Sequence, residues 1–336
     1  MVRALRLGDV KPRHVAIAVL VATIWGANFV VIKVGLRDFP PLFFSALRFL
    51  AAAVPALWFV GRPKVAWKWV VAVALALGVA KFGLLFVGMA AGMPAGLSSL
   101  VLQSQVFFTV LFAAVLLRER PRAVQLAGMG VAAAGIVVIG FDYGVGSPIS
   151  AFLLVVLGAV AWGLANVATR YARPPDPINF IVWVSAVAVL PLLGLSLVFE
   201  GAAADLAALR GLSWTGVGAI LFIAWVSTLL GFGLWNLLLR SYEASAVVPF
   251  ALLVPVAGML SGWLLLGETV TAVRLGAGVL VVIGMAATTV KGRSDAPGRS
   301  GRSGEPELVE SAAAGGGGSA IGVRVRGGNG GTRIGD

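Results

Sequence analysis

Between residues 14 and 290 long apolar stretches alternate with short polar or Gly/Pro-rich breaks, and within the stretches there is no period-two alternation. Ten runs read as spans: His14–Val34, Leu42–Val60, Trp69–Ala90, Ala95–Leu116, Ala123–Phe141, Ser150–Arg170, Ile178–Phe199, Trp214–Leu239, Ala244–Leu266 and Ala272–Val290. A bilayer core takes roughly 20 apolar residues per crossing. An isolated segment inside it must satisfy its own backbone, so these runs predict helices. Several breaks have turn chemistry, as in Pro40-Pro41, Gly61-Arg62-Pro63 and Gly92-Met93-Pro94-Ala95-Gly96. Proline lacks the amide hydrogen and glycine tolerates unusual dihedrals, so each cluster favours a helix end.

The runs fall into five and five, and the second set echoes the first. Trp25-Gly26 with Lys33 downstream recurs as Trp162-Gly163 with Arg170 downstream. Leu116-Leu117-Arg118-Glu119 recurs as Leu265-Leu266-Gly267-Glu268, and Gln125-Leu126-Ala127-Gly128 as Arg274-Leu275-Gly276-Ala277. A unit with an odd number of crossings cannot insert twice in one orientation, so the second copy is expected upside down. The predicted fold is an all-α integral membrane protein with ten transmembrane helices in two inverted five-helix repeats. Its expected parts are a cytoplasmic N-terminal segment (1–13), a first repeat (14–141), a second repeat (150–290) and a tail (291–336). The basic start followed by an apolar run looks like a signal peptide, but nine more spans follow, so it reads as a retained first span. The tail is rich in Gly, Ser and Arg and buries too little apolar surface to offset chain entropy, which predicts disorder.

Composition agrees. The chain is 59% hydrophobic and 12% charged, against about 25% charge in soluble domains. The net charge of +12 lies in short loops and at the two ends, not along one face, which argues against nucleic acid as a partner. With no cysteine, disulfide frameworks and thiolate metal sites are excluded, and no cofactor is expected. Counting Lys and Arg in short loops orients the chain. With the N-terminus in the cytoplasm, inner loops hold Arg62, Lys64, Lys68, Arg118, Arg120, Arg122, Arg170, Arg173 and Arg240. Outer loops then hold only Arg37, Arg210 and Arg274, with Lys33 near one edge. Both termini are therefore expected inside, in a multi-pass protein of the cytoplasmic membrane.

Ionisable groups within spans are costly and are the natural place to look for function. Lys81 lies near the middle of the third span, 12 residues from Trp69 and 9 from Ala90, at 1.5 Å per residue too deep to snorkel easily. It is expected to face a watery cavity and pair with a substrate carboxylate; the alternative is a lysine bonded to helix carbonyls or neutralised by burial. Arg48 lies nearer the end of the second span, where it reaches outward, ties to a carbonyl or Asp38, or touches substrate. Asn28, Asn166, Gln103 and Gln105 offer uncharged donors and acceptors, but such groups also link helices, at about 0.6 kcal/mol each. Gln103 and Gln105 point to different faces, so they are not expected to share one cavity. Trp25 and Trp162 gain weight as equivalents in the two halves, whereas Trp183, Trp225 and Trp235 read as packing or interfacial anchors. No acid is mid-span, and the one histidine, His14, is at the membrane edge. That pattern favours an anionic or zwitterionic solute over a cation. If proton coupling exists, Lys81 is its best carrier. Gly128, Gly130 and Gly135 in the fifth span and Gly276, Gly278 and Gly284 in the tenth predict close scaffold packing.

The ten-span duplication and the segment Trp25-Gly26-Ala27-Asn28-Phe29-Val30-Val31-Ile32-Lys33-Val34-Gly35-Leu36 resemble the EamA family of the drug/metabolite transporter superfamily. The segment Gly92 to Gln103 and the run Leu252-Leu253-Val254-Pro255-Val256 are similar to its O-acetylserine/cysteine exporter branch. The resemblance covers about residues 14 to 290. It implies a carrier exporting amino acids or related metabolites by alternating access, around a cavity walled by the first, third and fourth spans of each half. On that reading Trp25, Asn28, Lys81 and the Gln103–Gln105 region stand near the path, with Trp162 and Asn166 opposite. Arg48, in Leu47-Arg48-Phe49, matches a frequent arginine of the family's second span. Lys81 departs from the branch, which has an uncharged polar residue there; either specificity moves toward acidic solutes or the branch is drawn too narrowly. Other readings are a carrier for a sugar, purine or drug, an integral-membrane enzyme, or a passive channel. The enzyme lacks clustered acids or histidines, and the channel lacks a filter loop or pore ring.

Overall fold

The structure, a computed structural model, describes residues 11–289, and every regular element among them is helical. The expected tail, and the N-terminal segment up to residue 10, lie outside the described residues. The apolar helices in chain order are α1 (Pro12–Gly35), α2 (Pro41–Leu57), α3 (Trp67–Ala90), α4 (Ala95–Leu116) and α5 (Ala123–Gly144), then α6 (Ile149–Ala172), α7 (Pro177–Phe199), α8 (Trp214–Ser241), α9 (Val248–Leu266) and α10 (Ala272–Thr288). Eight of them are long and apolar enough to cross a membrane; α2 and α10 are shorter. Seventeen residues rise about 25 Å, so α2 falls short of a bilayer core of about 30 Å. Its early end follows Pro55, and beyond it Trp58 and Phe59 stand exposed.

Polar residues at the helix ends hold the bundle in register. Here the "far end" means the Gly35 end of α1 and the "near end" the Pro12 end. The first amides of a helix have no partner within it and need an outside acceptor. At the far end the Glu200 carboxylate accepts from the amides of Leu42 (2.7 Å) and Phe43 (3.0 Å), which open α2. Glu268 does the same for Ala95 (2.6 Å) and Gly96 (2.8 Å), which open α4. Lys33 Nζ donates to the Met89 carbonyl at 2.6 Å, and Arg274 pairs with Asp142 at 2.6 Å. At the near end Arg170 pairs with Glu119 at 2.5 Å, and Tyr171 donates to the Leu116 carbonyl at 3.0 Å. The predicted loop from Glu200 to Ser213 contains a short helix, Ala202–Arg210. Its buried Asp205 accepts from the Ser196 hydroxyl.

The packing follows small residues. α5 lies on α10, α2 on α7, α1 on α9 and on α8, and α6 on α3 and on the near half of α4. The far half of α4 lies on α9. At most of these contacts, though not between α2 and α7, a glycine removes the bulk. A Cβ at Gly26 would meet the Ala257 side chain at 2.6 Å; at Gly163 it would meet Phe108 at 2.7 Å, and at Gly128 the Gly284 carbonyl at 2.6 Å. The predicted close packing of the fifth and tenth spans is thus observed.

Two helices leave ideal geometry at their centres. α3 adopts π-helical bonding over Ala74–Lys81 and α8 over Phe222–Leu230. α4 tightens to a 3-10 turn at Leu102–Ser104, and α9 opens with one at Val248–Leu252. Such departures interrupt the regular ladder and commonly occur at functional sites.

Candidate functional site

Lys81 closes the π segment of α3. The wider turn inserts an extra residue, so it resets which way the following side chains face. At the same level Gly78 lets α7 approach, since a Cβ there would sit 2.5 Å from that of Ala188. Lys81 is buried, 5% exposed. Its Nζ lies 3.2 Å from the centre of the Phe82 ring and 4.6 Å from that of Trp162 on α6. It makes no hydrogen bond or ion pair among the described residues. The alternative that helix carbonyls absorb its charge is therefore not what this structure displays.

Arg48 is a second buried cation, 3% exposed. Its guanidinium carbon lies 3.9 Å from the centre of Phe49 and 3.7 Å from that of Phe82. Its Nε is buried with no partner. It neither reaches outward nor ties to Asp38, whose carboxylate instead accepts from the Ser213 hydroxyl. Burying one charge at mid-span costs roughly 2.5–3.5 kcal/mol on insertion scales. A desolvated ring contact returns about 2 kcal/mol. The rings of Phe49, Phe82 and Trp162 thus offset part of the cost of burying these two basic side chains.

The other predicted residues form separate groups. Gln105 Oε1 accepts from the Asn166 amide at 2.8 Å, and that amide also donates to the Thr109 hydroxyl at 3.0 Å. This network ties α4 to α6 beside Gly163. Trp25 donates from its indole nitrogen to the Ser227 carbonyl at 3.0 Å. Its ring packs against Phe232 and Trp235, each at 5.3 Å. Asn28 is buried, and its Oδ1 has no partner. Gln103 faces elsewhere, onto a cavity of about 150 Å³ lined mainly by apolar groups such as Phe107, Met129, Ile136 and Met285. The two glutamines therefore diverge, as their spacing predicts. Trp183 and Trp225 donate to the carbonyls of Gly61 and Ala51, as anchors do.

The structure adds Phe82, Thr109 and Ser227 to the residues singled out from the sequence. Phe82 had a signal in the pattern, since each buried cation is followed at once by a phenylalanine, in Arg48-Phe49 and Lys81-Phe82. Ser227 had none: it acts through its carbonyl, which every residue possesses.

Comparison with known proteins bears on what such an arrangement is for. The profile of the EamA-like transporter family matches twice, over residues 13–141 and 149–290. A "Probable amino-acid metabolite efflux pump" of Salmonella typhimurium is 40% identical over 275 residues, 80% of this chain and 92% of its own length. The protein of the same name from Escherichia coli is 37% identical over the same shares. A "Probable terminal-alkyne amino-acid exporter" of Streptantibioticus cattleyicolor is 29% identical, covering 80% of this chain and 90% of its own. A solved crystal structure with 19% identity matches at a TM-score of 0.57, over 84% of this chain and 99% of the other, and shows the fold alone. With the family profile met in both halves of a multi-helix apolar bundle, the chain belongs to the EamA-like transporter family.

Proposed function

We propose that this protein is a secondary transporter of the cytoplasmic membrane that exports amino acids or related metabolites by alternating access. The observation that carries the reading is Lys81, a buried mid-helix lysine with no ion pair among the described residues, set over Trp162 beside a π-helical break. A solute carboxylate supplies the missing charge. Trp25, Asn28 and Arg48 stand with these two as the proposed path; Gln105 and Asn166 set the spacing of α4 and α6 along it. Gln103, which faces a separate apolar cavity, lies apart from this proposed path.

The proposed architecture is ten transmembrane helices in two inverted repeats, 14–141 and 150–290. Three observations support it. The helix contacts map onto themselves when α1–α5 are exchanged with α6–α10: α1–α9 becomes α6–α4, and α3–α6 becomes α8–α1. The π segments fall in α3 and α8, third in each half. Pro41, Phe44, Ala52 and Pro55 of α2 recur at one constant offset as Pro177, Phe180, Ala188 and Pro191 of α7. With both termini cytoplasmic, as the Lys/Arg bias favours, the far end is the outer one. There α4 meets α9 through Gly96 and Gly262, whereas the near half of α4 leans on α6. This supports an inward-open, outwardly sealed conformation.

The test is uptake of radiolabelled cysteine, O-acetylserine and other amino acids into inverted vesicles, with and without a pH gradient. Movement above protein-free controls is expected. No movement of any amino-acid-type solute would end this reading while leaving family and fold intact.

A further inference from the structure

The exporter reading leaves the charge of the solute open, and the centre of the bundle narrows it. Lys81 and Arg48 share one ring, Phe82, at 3.2 Å and 3.7 Å from its centre. They are thus no further apart than those two distances laid end to end. Both are more than nine-tenths buried, and neither has a hydrogen bond or ion pair among the described residues. The carboxylates lie at the helix ends and are engaged there. Glu200 and Glu268 cap helices, Asp142 and Glu119 hold arginines, Asp38 accepts from Ser213, and Asp176 caps its own helix.

We infer that the transported solute is a net anion: an amino-acid-type organic acid whose carboxylates outnumber its ammonium groups, such as an acidic or an N-acylated amino acid. The inference rests on the exporter reading and names its substrate class. A neutral zwitterion satisfies Lys81 with its carboxylate but brings an ammonium into the same field. A third cation in that field is repelled by both. The unpartnered Oδ1 of Asn28 can accept a hydrogen bond, but it carries no charge to offset that repulsion. An acidic solute brings a second carboxylate instead, and an N-acylated one brings no ammonium at all. Lys81 makes the contact; Arg48, held behind Phe82, contributes the field. Nothing in the second half repeats the pair. By the constant offset between α2 and α7, Val184 stands where Arg48 does, and α8 has apolar Leu229 and Leu230 where its π segment ends. The anion therefore sits off the axis of the bundle, on the side of α2, α3 and α6.

The test uses the full chain in proteoliposomes, with radiolabelled aspartate, glutamate and N-acetylserine set against serine, cysteine and O-acetylserine. Net anions are expected to exceed neutral solutes at least tenfold in kcat/KM. Their initial rate is expected to shift when a potassium diffusion potential is imposed with valinomycin. Lys81→Met is expected to bring the anion-to-neutral ratio to about one, and Lys81→Arg to keep it. Thermal stability of the wild-type protein with each solute gives a readout that needs no variant: a larger rise with glutamate or N-acetylserine than with serine is expected. Equal or better transport of neutral zwitterions overturns the anion inference and leaves the exporter standing. An equal thermal shift from chloride alone also overturns it, because the site then recognises charge and not a solute. Failure to move any of the six overturns the exporter reading beneath it.

Discussion

The two halves set the same residue against the same kind of helix defect and equip it differently. Trp25 of α1 leans on the π segment of α8, and Trp162 of α6 leans on that of α3. On one side the indole donates to a backbone carbonyl, that of Ser227, a contact any sequence could supply. On the other its ring faces the ammonium of Lys81. The helix contacts repeat because both halves must close around one centre by the same glycine-lined approaches. The charge does not repeat, since one solute needs one site and a second pair of buried cations would add only cost. On the proposed two-repeat architecture, likeness between the halves accounts for the bundle, and the difference between them for the proposed chemistry.

The comparison breaks most severely at the glycines that both halves share. Gly26 faces the backbone of α9, and Gly163 that of α4. Gly26→Val and Gly163→Val should each lose folded protein or fall in Tm by a similar, large amount. Overpacking of this kind costs about 1–3 kcal/mol or more where backbone blocks relaxation. Yield in detergent and thermal denaturation measure it. A tolerant Gly163 beside an intolerant Gly26 would mean that the halves are not mechanically equivalent.

The paired tryptophans sharpen the comparison. Trp25→Phe leaves the Ser227 carbonyl without its donor and should reduce stability by about 1 kcal/mol. Trp162→Phe removes no hydrogen bond and weakens a cation–π contact, worth about 2 kcal/mol when desolvated. It should raise KM for the solute several-fold, which Trp25→Phe should not. Steady-state uptake beside thermal melts separates the two, and equal behaviour would remove the functional distinction between the halves.

A weaker effect is expected at the ends. Glu268 caps α4 at the far end, whereas its counterpart Glu119 pairs with Arg170 on the surface. Because the chain has no cysteine, the buried Ser98→Cys variant offers a single thiol. Adding Glu268→Gln should increase its labelling from the far side several-fold, and Glu119→Gln should not. Charge at a helix N-terminus is worth about 0.3–1 kcal/mol when exposed and up to ~2 when partly buried, enough to shift a balanced pair of states. The smallest effect belongs to Arg118, which holds a left-handed backbone (φ 56°) where the other half has Gly267 (φ 67°). A left-handed residue other than glycine costs roughly 1–2 kcal/mol, much of it offset by the greater unfolded-state freedom of glycine, about 0.4–1 kcal/mol. Arg118→Gly should therefore raise Tm slightly, by a degree or two.

The hydrophobic pattern alone placed all ten apolar helices, because a bilayer leaves a segment few alternatives to satisfying its own backbone. The Trp-Gly and Leu-Leu-x-Glu echoes pointed to two related halves, over each of which the family profile matches, and the lone mid-span lysine pointed to where to look. Composition and spacing did not show that Glu200 and Glu268 cap helices 158 and 173 residues away in sequence. Nor did they place Arg48 beside Lys81 across one phenylalanine ring, or separate Gln103 from the Gln105–Asn166 network. Helix length and insertion are properties of each segment against lipid, readable one segment at a time. The partner of a buried charge depends on how neighbouring helices rotate and approach, set here by π turns and glycine contacts, and that only the tertiary structure decides.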